Sequence, residues 1–318
     1  MKQLGQYPGP RHVIAHLSDP HLLAGGALQY DAIDTEAGLR LSLERLAAVD
    51  PPPQALVFTG DLADKGEPQA YTRLREIVEP AAEAMGAEVI WVMGNHDERS
   101  DYSRGLFGEA SDAPQDRVHE IDGLRIISLD SSVPGYHHGE LSDDQLTWLA
   151  EVLATPAEHG TLLALHHPPI PLPMLRAAEL IELLEQDRLA AALEGSDVRG
   201  ILAGHLHFST YSLFAGIPVS VASASCYTSD PAPVDRFVSG VSSGQAFTMV
   251  HAYADRLVHT IVPLDTGTEV TAVGLDIMAA VEDLTAEEAR ELASNKTSPF
   301  NAQHELEEGQ DQLPVTTT

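Results

Sequence analysis

Three times within its first hundred residues the chain repeats one unit: a short apolar run, a loop bearing Asp, Asn or His, then a helical stretch. The runs at 12–17, 55–58 and 88–93 end at Asp19-Pro20-His21, Gly60-Asp61 and Gly94-Asn95-His96-Asp97. Between them, Leu39, Leu43 and Leu46 recur at helical spacing within 34–48, Pro51-Pro52-Pro53 stops that helix, and 69–85 reads as the next one. Strands alternating with helices build a sheet-centred α/β fold, and the groups at the strands' carboxyl ends gather on one edge of the sheet.

The pattern then changes. Strands are expected at 124–129, 161–165, 200–203, 208–215, 218–222, 246–252 and 257–262. Helices are expected at 186–193 and from a capping box at Ser142-Asp143-Asp144-Gln145 to about residue 154. This order fits two mixed sheets stacked face to face and flanked by helices, a four-layer αββα sandwich. Residues 1–275 would form that domain. From about 276 the chain holds ten acidic residues against two basic ones, which reads as an acidic extension, 276–318. Thr285 and Glu288 could cap one helix there, and the last fifteen or so residues read as disordered.

Each loop carries groups suited to metal ions. Asp19 and His21 are two apart, so in an extended strand both side chains share a face. His205 and His207, in Gly204-His205-Leu206-His207, repeat that spacing, and His166 opens His166-His167-Pro168-Pro169. Taken singly, each has a plainer reading: a surface turn for Asp19 and His21, a helix cap for Asp61, a core histidine beside an exposed one for His205 and His207. An Asn amide is an uncommon metal ligand, so Gly-Asn-His-Asp tells more. As a set, five such loops, each after an apolar strand, point to oxygen and imidazole ligands for two ions. A mixed set without thiolate suits Fe, Mn, Zn or Co better than Mg or Ca. His96, next to a ligand and on the opposite face if the backbone is extended, would bind the phosphate or the leaving oxygen as a general acid. Its alternative is an orienting role. Asp64 and Asp97 are candidates for orienting imidazoles. His167 reads as structural. His12, His16, His119, His159, His251, His259 and His304 lack a motif context.

With these five elements the sequence resembles the calcineurin-like metallophosphoesterases, over roughly residues 14–262, and within them the bacterial class III cyclic-nucleotide phosphodiesterases. The stretches Thr59 to Pro68 (TGDLADKGEP), Trp91 to Asp97 (WVMGNHD), Leu163 to Pro171 (LALHHPPIP) and Ile201 to His207 (ILAGHLH) carry the closer match. The resemblance implies one ion on Asp19, His21, Asp61 and His207, and another on Asp61, Asn95, His166 and His205, with Asp61 bridging. It implies Fe3+ with a divalent partner, often Mn2+. It also implies substrate contacts from His21, Asp61, Asn95, His96, His137 and His207; for His137 the alternative is an exposed polar loop. The expected reaction is cleavage of a phosphodiester, 3′,5′-cyclic AMP or a 2′,3′-cyclic nucleotide, by in-line attack of a hydroxide between the ions. A glycerophosphodiesterase or broad phosphatase shares the same centre and remains the alternative. A homodimer is what the resemblance suggests.

Composition bounds the partners. With 18 basic and 48 acidic residues the net charge is −30, so the surface repels nucleic-acid polymers, and a phosphate must be drawn in locally by cations. No apolar run approaches the roughly 18 residues of a membrane span. One cysteine, Cys226, forms no internal disulfide, and no apolar leader is visible at residues 1–10, so a cytoplasmic protein is expected.

Overall fold

Strands β1 (His12–Leu17) and β2 (Ala55–Thr59) are buried at every residue. That is why they read as largely apolar runs, interrupted only by His12, His16 and Thr59: both faces of their sheet are covered. The computed structural model describes residues 3–272, 274 and 281–301. The described residues fall into two compact units, 10–266 and the described parts of 1–9 and 267–301.

In the larger unit, β1, β2 and β3 (Glu88–Val92) run parallel, and β12 (Ala246–Ala252) lies antiparallel to β1 with β13 (Leu257–Pro263) outside it. The second sheet holds β4 (Arg117–Ile121), β5 (Leu124–Leu129), β6 (Thr161–Leu165), β7 (Val198–Ala203), β8 (Thr210–Phe214) and β9 (Ile217–Val221), in the order β4-β5-β6-β7-β9-β8. Its four middle strands are parallel and its two edge strands antiparallel.

Alternation along each strand assigns the layers. Ile14, Val57 and Val92 meet Ile126, Leu162 and Leu202 between the sheets. Their neighbours Phe58 and Trp91 turn outward onto Leu39, Leu43 and Leu74 of helices α1 (Thr35–Leu46) and α2 (Pro68–Met85). On the far side, Leu163 and Ile201 pack on Leu149 and Leu189 of α4 (Asp143–Leu153) and α5 (Gln186–Leu193). The result is the four-layer sandwich expected. Truncating a residue such as Phe58, with no exposed surface, costs about 3–5 kcal/mol.

Helix α3 (Arg99–Phe107) was not anticipated. It buries only Tyr102, Ser103 and Leu106, too short an apolar stripe to show as a period. The capping box at Ser142 and Gln145 is present. In the smaller unit, Thr285 and Glu288 form a second one on the helix Ala286–Ser294. The last fifteen residues, expected to be disordered, lie outside the described residues.

Candidate metal centre

All five loops leave the carboxyl ends of parallel strands, so their side chains converge at one edge of the sandwich. The turns are sharp: Asp19, His21, Asp61, His205 and His207 all have φ between 44° and 72°. Such values are strained for residues with a Cβ and persist only where the surroundings enforce them. Glycine next to these residues has a steric cause. A Cβ on Gly94 would sit 2.1 Å from Asp61 N, and one on Gly204 would sit 2.0 Å from Ser18 Oγ.

Four imidazoles meet around the carboxylate of Asp61. His21 Nε2 lies 3.3 Å and His166 Nε2 3.4 Å from Asp61 Oδ2. His207 Nε2 is 3.1 Å from His21 Nε2 and 3.3 Å from Asp19 Oδ1. On the other side, Asn95 Oδ1 is 3.1 Å and His205 Nδ1 3.2 Å from His166 Nε2. Asp19, His21, Asp61 and His207 thus bring four ligand atoms within 4.8 Å of one another.

The opposite nitrogen of each ring is already engaged. His21 Nδ1 donates to Asp64 Oδ1 at 3.0 Å, His207 Nδ1 to Tyr227 O at 3.1 Å, and His166 Nδ1 to Thr59 O at 2.7 Å. His205 Nε2 donates to Ile181 O at 2.9 Å. A neutral imidazole with one nitrogen donating has a bare lone pair on the other. Four bare nitrogens, two carboxylates and an amide oxygen therefore face one small volume, and the His21–His207 pair sets nitrogen against nitrogen. Cations fit this donor set.

Electrostatics agree. Burial disfavours a charged Asp61, yet His166 and His21 hold its carboxyl well below the usual range. Asp19 is likewise lowered, against burial, by His207. Burial works against a charged His166, but Asp61 and then Asp19 outweigh it and pull its pKa up to about 9. His207, opposed by burial but facing Cys226 and Asp19, is pulled up to about 10. His205 goes the other way, to about 3, through burial and the neighbouring His166. Two buried carboxylates demand positive charge, which protons or metal ions can supply.

The remaining sequence candidates divide. His96 does not face away from the cluster, because residues 95–97 form a turn rather than an extended segment. Its ring lies 4.7 Å from that of His21, and its Nδ1 donates to Asp64 O at 2.8 Å. Asp64 does contact one of the clustered imidazoles, His21. The expectation for Asp97 is corrected: its oxygens take the backbone N–H groups of Leu62, Ala63 and Gly94 and the hydroxyl of Tyr71. Asp97 therefore shapes the Asp61 loop, and burial, reinforced by Asp61, raises its pKa to about 6. Asp61 uses only Oδ2 toward both halves of the cluster, since Oδ1 accepts from His96 N at 2.8 Å. His137 accepts from Asn95 Nδ2 at 2.9 Å, which turns the amide oxygen toward His166. His167 is buried and bonded to Ser131 Oγ and His137 O.

Several groups had no signal in the sequence. The carbonyls of Thr59, Ile181 and Tyr227 orient three of the four imidazoles, and every residue carries a carbonyl. Gln29 donates to Asp64 Oδ1 at 2.7 Å, and Cys226 Sγ lies 3.8 Å from His207 Nδ1.

A family model described as calcineurin-like phosphoesterase matches residues 12–209. A probable cyclic nucleotide phosphodiesterase of Rhodococcus erythropolis is 52% identical over 294 residues, 92% of this chain and 96% of that protein. A cAMP/cGMP dual specificity phosphodiesterase of Mycobacterium tuberculosis is 54% identical over 263 residues, 82% of each. Among solved structures, a purple acid phosphatase from yellow lupin seeds aligns with a TM-score of 0.60 at 13% identity. That alignment covers 82% of this chain and 53% of the phosphatase, and at this identity the likeness is one of fold.

Proposed function

The chain belongs to the calcineurin-like phosphoesterase family, and on that premise we propose that it hydrolyses cyclic nucleotides, 3′,5′-cyclic AMP foremost, at a centre of two metal ions. One observation carries the reading: four imidazoles, each tied through one nitrogen, aim the other at a space shared with Asp61. The names of relatives more than 50% identical supply the substrate class.

Asp19, His21, Asp61 and His207 would hold one ion, and Asp61, Asn95, His166 and His205 the other, with Asp61 common to both. Bound there, the cations supply Lewis acidity, lowering the pKa of a bound water toward about 7 and neutralising phosphoryl charge. The chain's own residues do the rest. Asp64 and three carbonyls fix the tautomers. His96 donates through Nδ1 to Asp64 O; only when its Nε2 also carries a proton can it donate to a phosphoryl oxygen and pass that proton to the departing oxygen. For a 3′,5′-cyclic nucleotide a water oxygen would bond to phosphorus as the P–O3′ bond breaks; the 3′ oxygen gains the proton from His96, a proton given up by the water replaces it, and a 5′-monophosphate forms. His137 shapes the cleft beside Asn95, and His21, Asp61, Asn95 and His207 border the phosphate.

The two-carboxylate half suits Fe3+ and the other half a divalent ion such as Mn2+, with Zn2+ or Co2+ as substitutes. A net charge of −30 supports a small substrate over a nucleic-acid polymer. No helix of the described residues is long and apolar enough to cross a membrane. A cytoplasmic homodimer, with residues 1–275 catalytic and 276–318 an acidic extension, completes the reading.

The test is turnover by metal-reconstituted protein of cyclic AMP, a glycerophosphodiester and p-nitrophenyl phosphate. Preference for cyclic AMP is expected. Intact cyclic AMP alongside rapid glycerophosphodiester cleavage would overturn the proposal in favour of the sibling activity.

A further inference from the structure

Tyr30 stands beside the cluster in a backbone conformation that its residue type avoids. Its φ is 53°, and its neighbour Asp31 has φ 57°. A bulky residue at such a value is strained, and strain of this kind collects at ligand sites. Tyr30 is also 73% exposed. A lone exposed aromatic is ordinary, but this one is held in place. Its ring meets that of Tyr227 edge to face at 5.6 Å, with the hydroxyls 3.4 Å apart. The ring of Tyr227 lies 4.6 Å from that of His207. Tyr227 is seated in turn by the strap of β10 (Thr228–Ser229) and β11 (Gly240–Val241), where a Cβ on Gly240 would lie 2.9 Å from its ring. On the other side of Tyr30, Gln29 bonds Asp64, which bonds His21.

An open aromatic surface is therefore fixed one ring beyond a ligand histidine. We propose that Tyr30, backed by Tyr227, is the stacking platform for the nucleobase of the substrate and so a specificity-determining residue. This rests on the cyclic-nucleotide reading above. A nucleotide with its phosphate at the cluster must place a flat, uncharged base beside it, and stacking answers that need without charge. Because every base has a π-face, such a platform discriminates little between adenine and guanine.

The experiment compares the wild type, Tyr30→Ala and Tyr30→Phe as metal-reconstituted full-length proteins. It measures kcat and KM for cyclic AMP. It also measures inhibition by 5′-AMP and by ribose 5-phosphate, which keeps the phosphate and loses the base, against a p-nitrophenyl phosphodiester substrate. Tyr30→Ala is expected to raise KM for cyclic AMP and Ki for 5′-AMP by about tenfold, within the range of one lost base stack. Its kcat and its Ki for ribose 5-phosphate should stay unchanged, and Tyr30→Phe should behave as wild type. Equal weakening of both inhibitors, an unchanged Ki for 5′-AMP, or a Phe variant as impaired as the Ala variant would each overturn the proposal. Wild-type protein that cleaves the p-nitrophenyl diester and leaves cyclic AMP intact would sink the substrate reading instead, with the inhibitor arm still deciding on Tyr30.

Discussion

The two halves of the cluster are built to different charge. The half made by Asp19, His21, Asp61 and His207 has two carboxylates, each about 3.3 Å from an imidazole nitrogen. The half made by Asn95, His166 and His205 has an amide and shares only the Asp61 oxygen. The imidazoles do not divide as simply: His207, facing Cys226 and Asp19, is drawn up to about 10 and His166, facing Asp61, to about 9, while His205, buried beside His166, falls to about 3. Coulomb attraction scales with the product of the charges. On the proposed two-ion reading, the first half is therefore expected to bind the more highly charged ion, and more tightly, with the second as the exchangeable one.

Removing what the halves share gives the largest effect. Asp61→Asn keeps the shape and loses the common charge. We expect kcat to fall about a thousandfold, the upper end for one charge-stabilising group, with bound metal, measured by elemental analysis, dropping in both halves. Full occupancy of either half in this variant would break the comparison at its centre. Asn95→Asp works in the opposite direction by giving the poorer half a carboxylate of its own. The affinity of the weaker ion should rise about tenfold or more, at least about 1.4 kcal/mol, read by competition with a chelator. No change there would mean that charge count does not set the difference.

The halves also differ in what orients their imidazoles, and here only one is open to side-chain substitution. His21 leans on the Asp64 side chain, whereas His166 and His205 lean on the carbonyls of Thr59 and Ile181. Asp64→Asn should lower the affinity of the first half by about tenfold, the modest end of such effects because an amide oxygen can still accept. The second half should keep its ion in the same titration.

This division also marks how far the sequence could be read. The side chains that converge were legible because each follows an apolar strand: 55–58 runs into Gly60-Asp61, and 161–165 into His166. The sandwich followed from the same strands. Orientation was not legible. Thr59, Ile181 and Tyr227 act through carbonyls, which no residue type announces. Asp97 looked like an imidazole partner by proximity in sequence, yet it folds back onto the N–H groups of the Asp61 loop. Likewise, the turn at 95–97 brings Asn95 and His96 to the same cluster, where extended geometry would have parted them. Helix α3 stayed hidden because three buried residues make no period.

The smallest effect concerns the layer behind Asp64. Gln29 is 2% exposed and donates to Asp64 Oδ1, the oxygen that accepts from His21, so the first half carries a relay of Gln29, Asp64 and His21. A hydrogen bond to a charged group contributes about 1.5–3 kcal/mol, but only a fraction of that reaches the ion through two intervening contacts. Gln29→Ala should therefore weaken the first-half ion by a few-fold, leave the second-half ion unchanged, and raise the Ki of 5′-AMP and ribose 5-phosphate equally. That parallel rise separates it from a change at Tyr30, where only the base-bearing inhibitor should weaken. If ribose 5-phosphate were unaffected by Gln29→Ala, the relay would end at Asp64, and the contrast between the halves would be narrower by one residue.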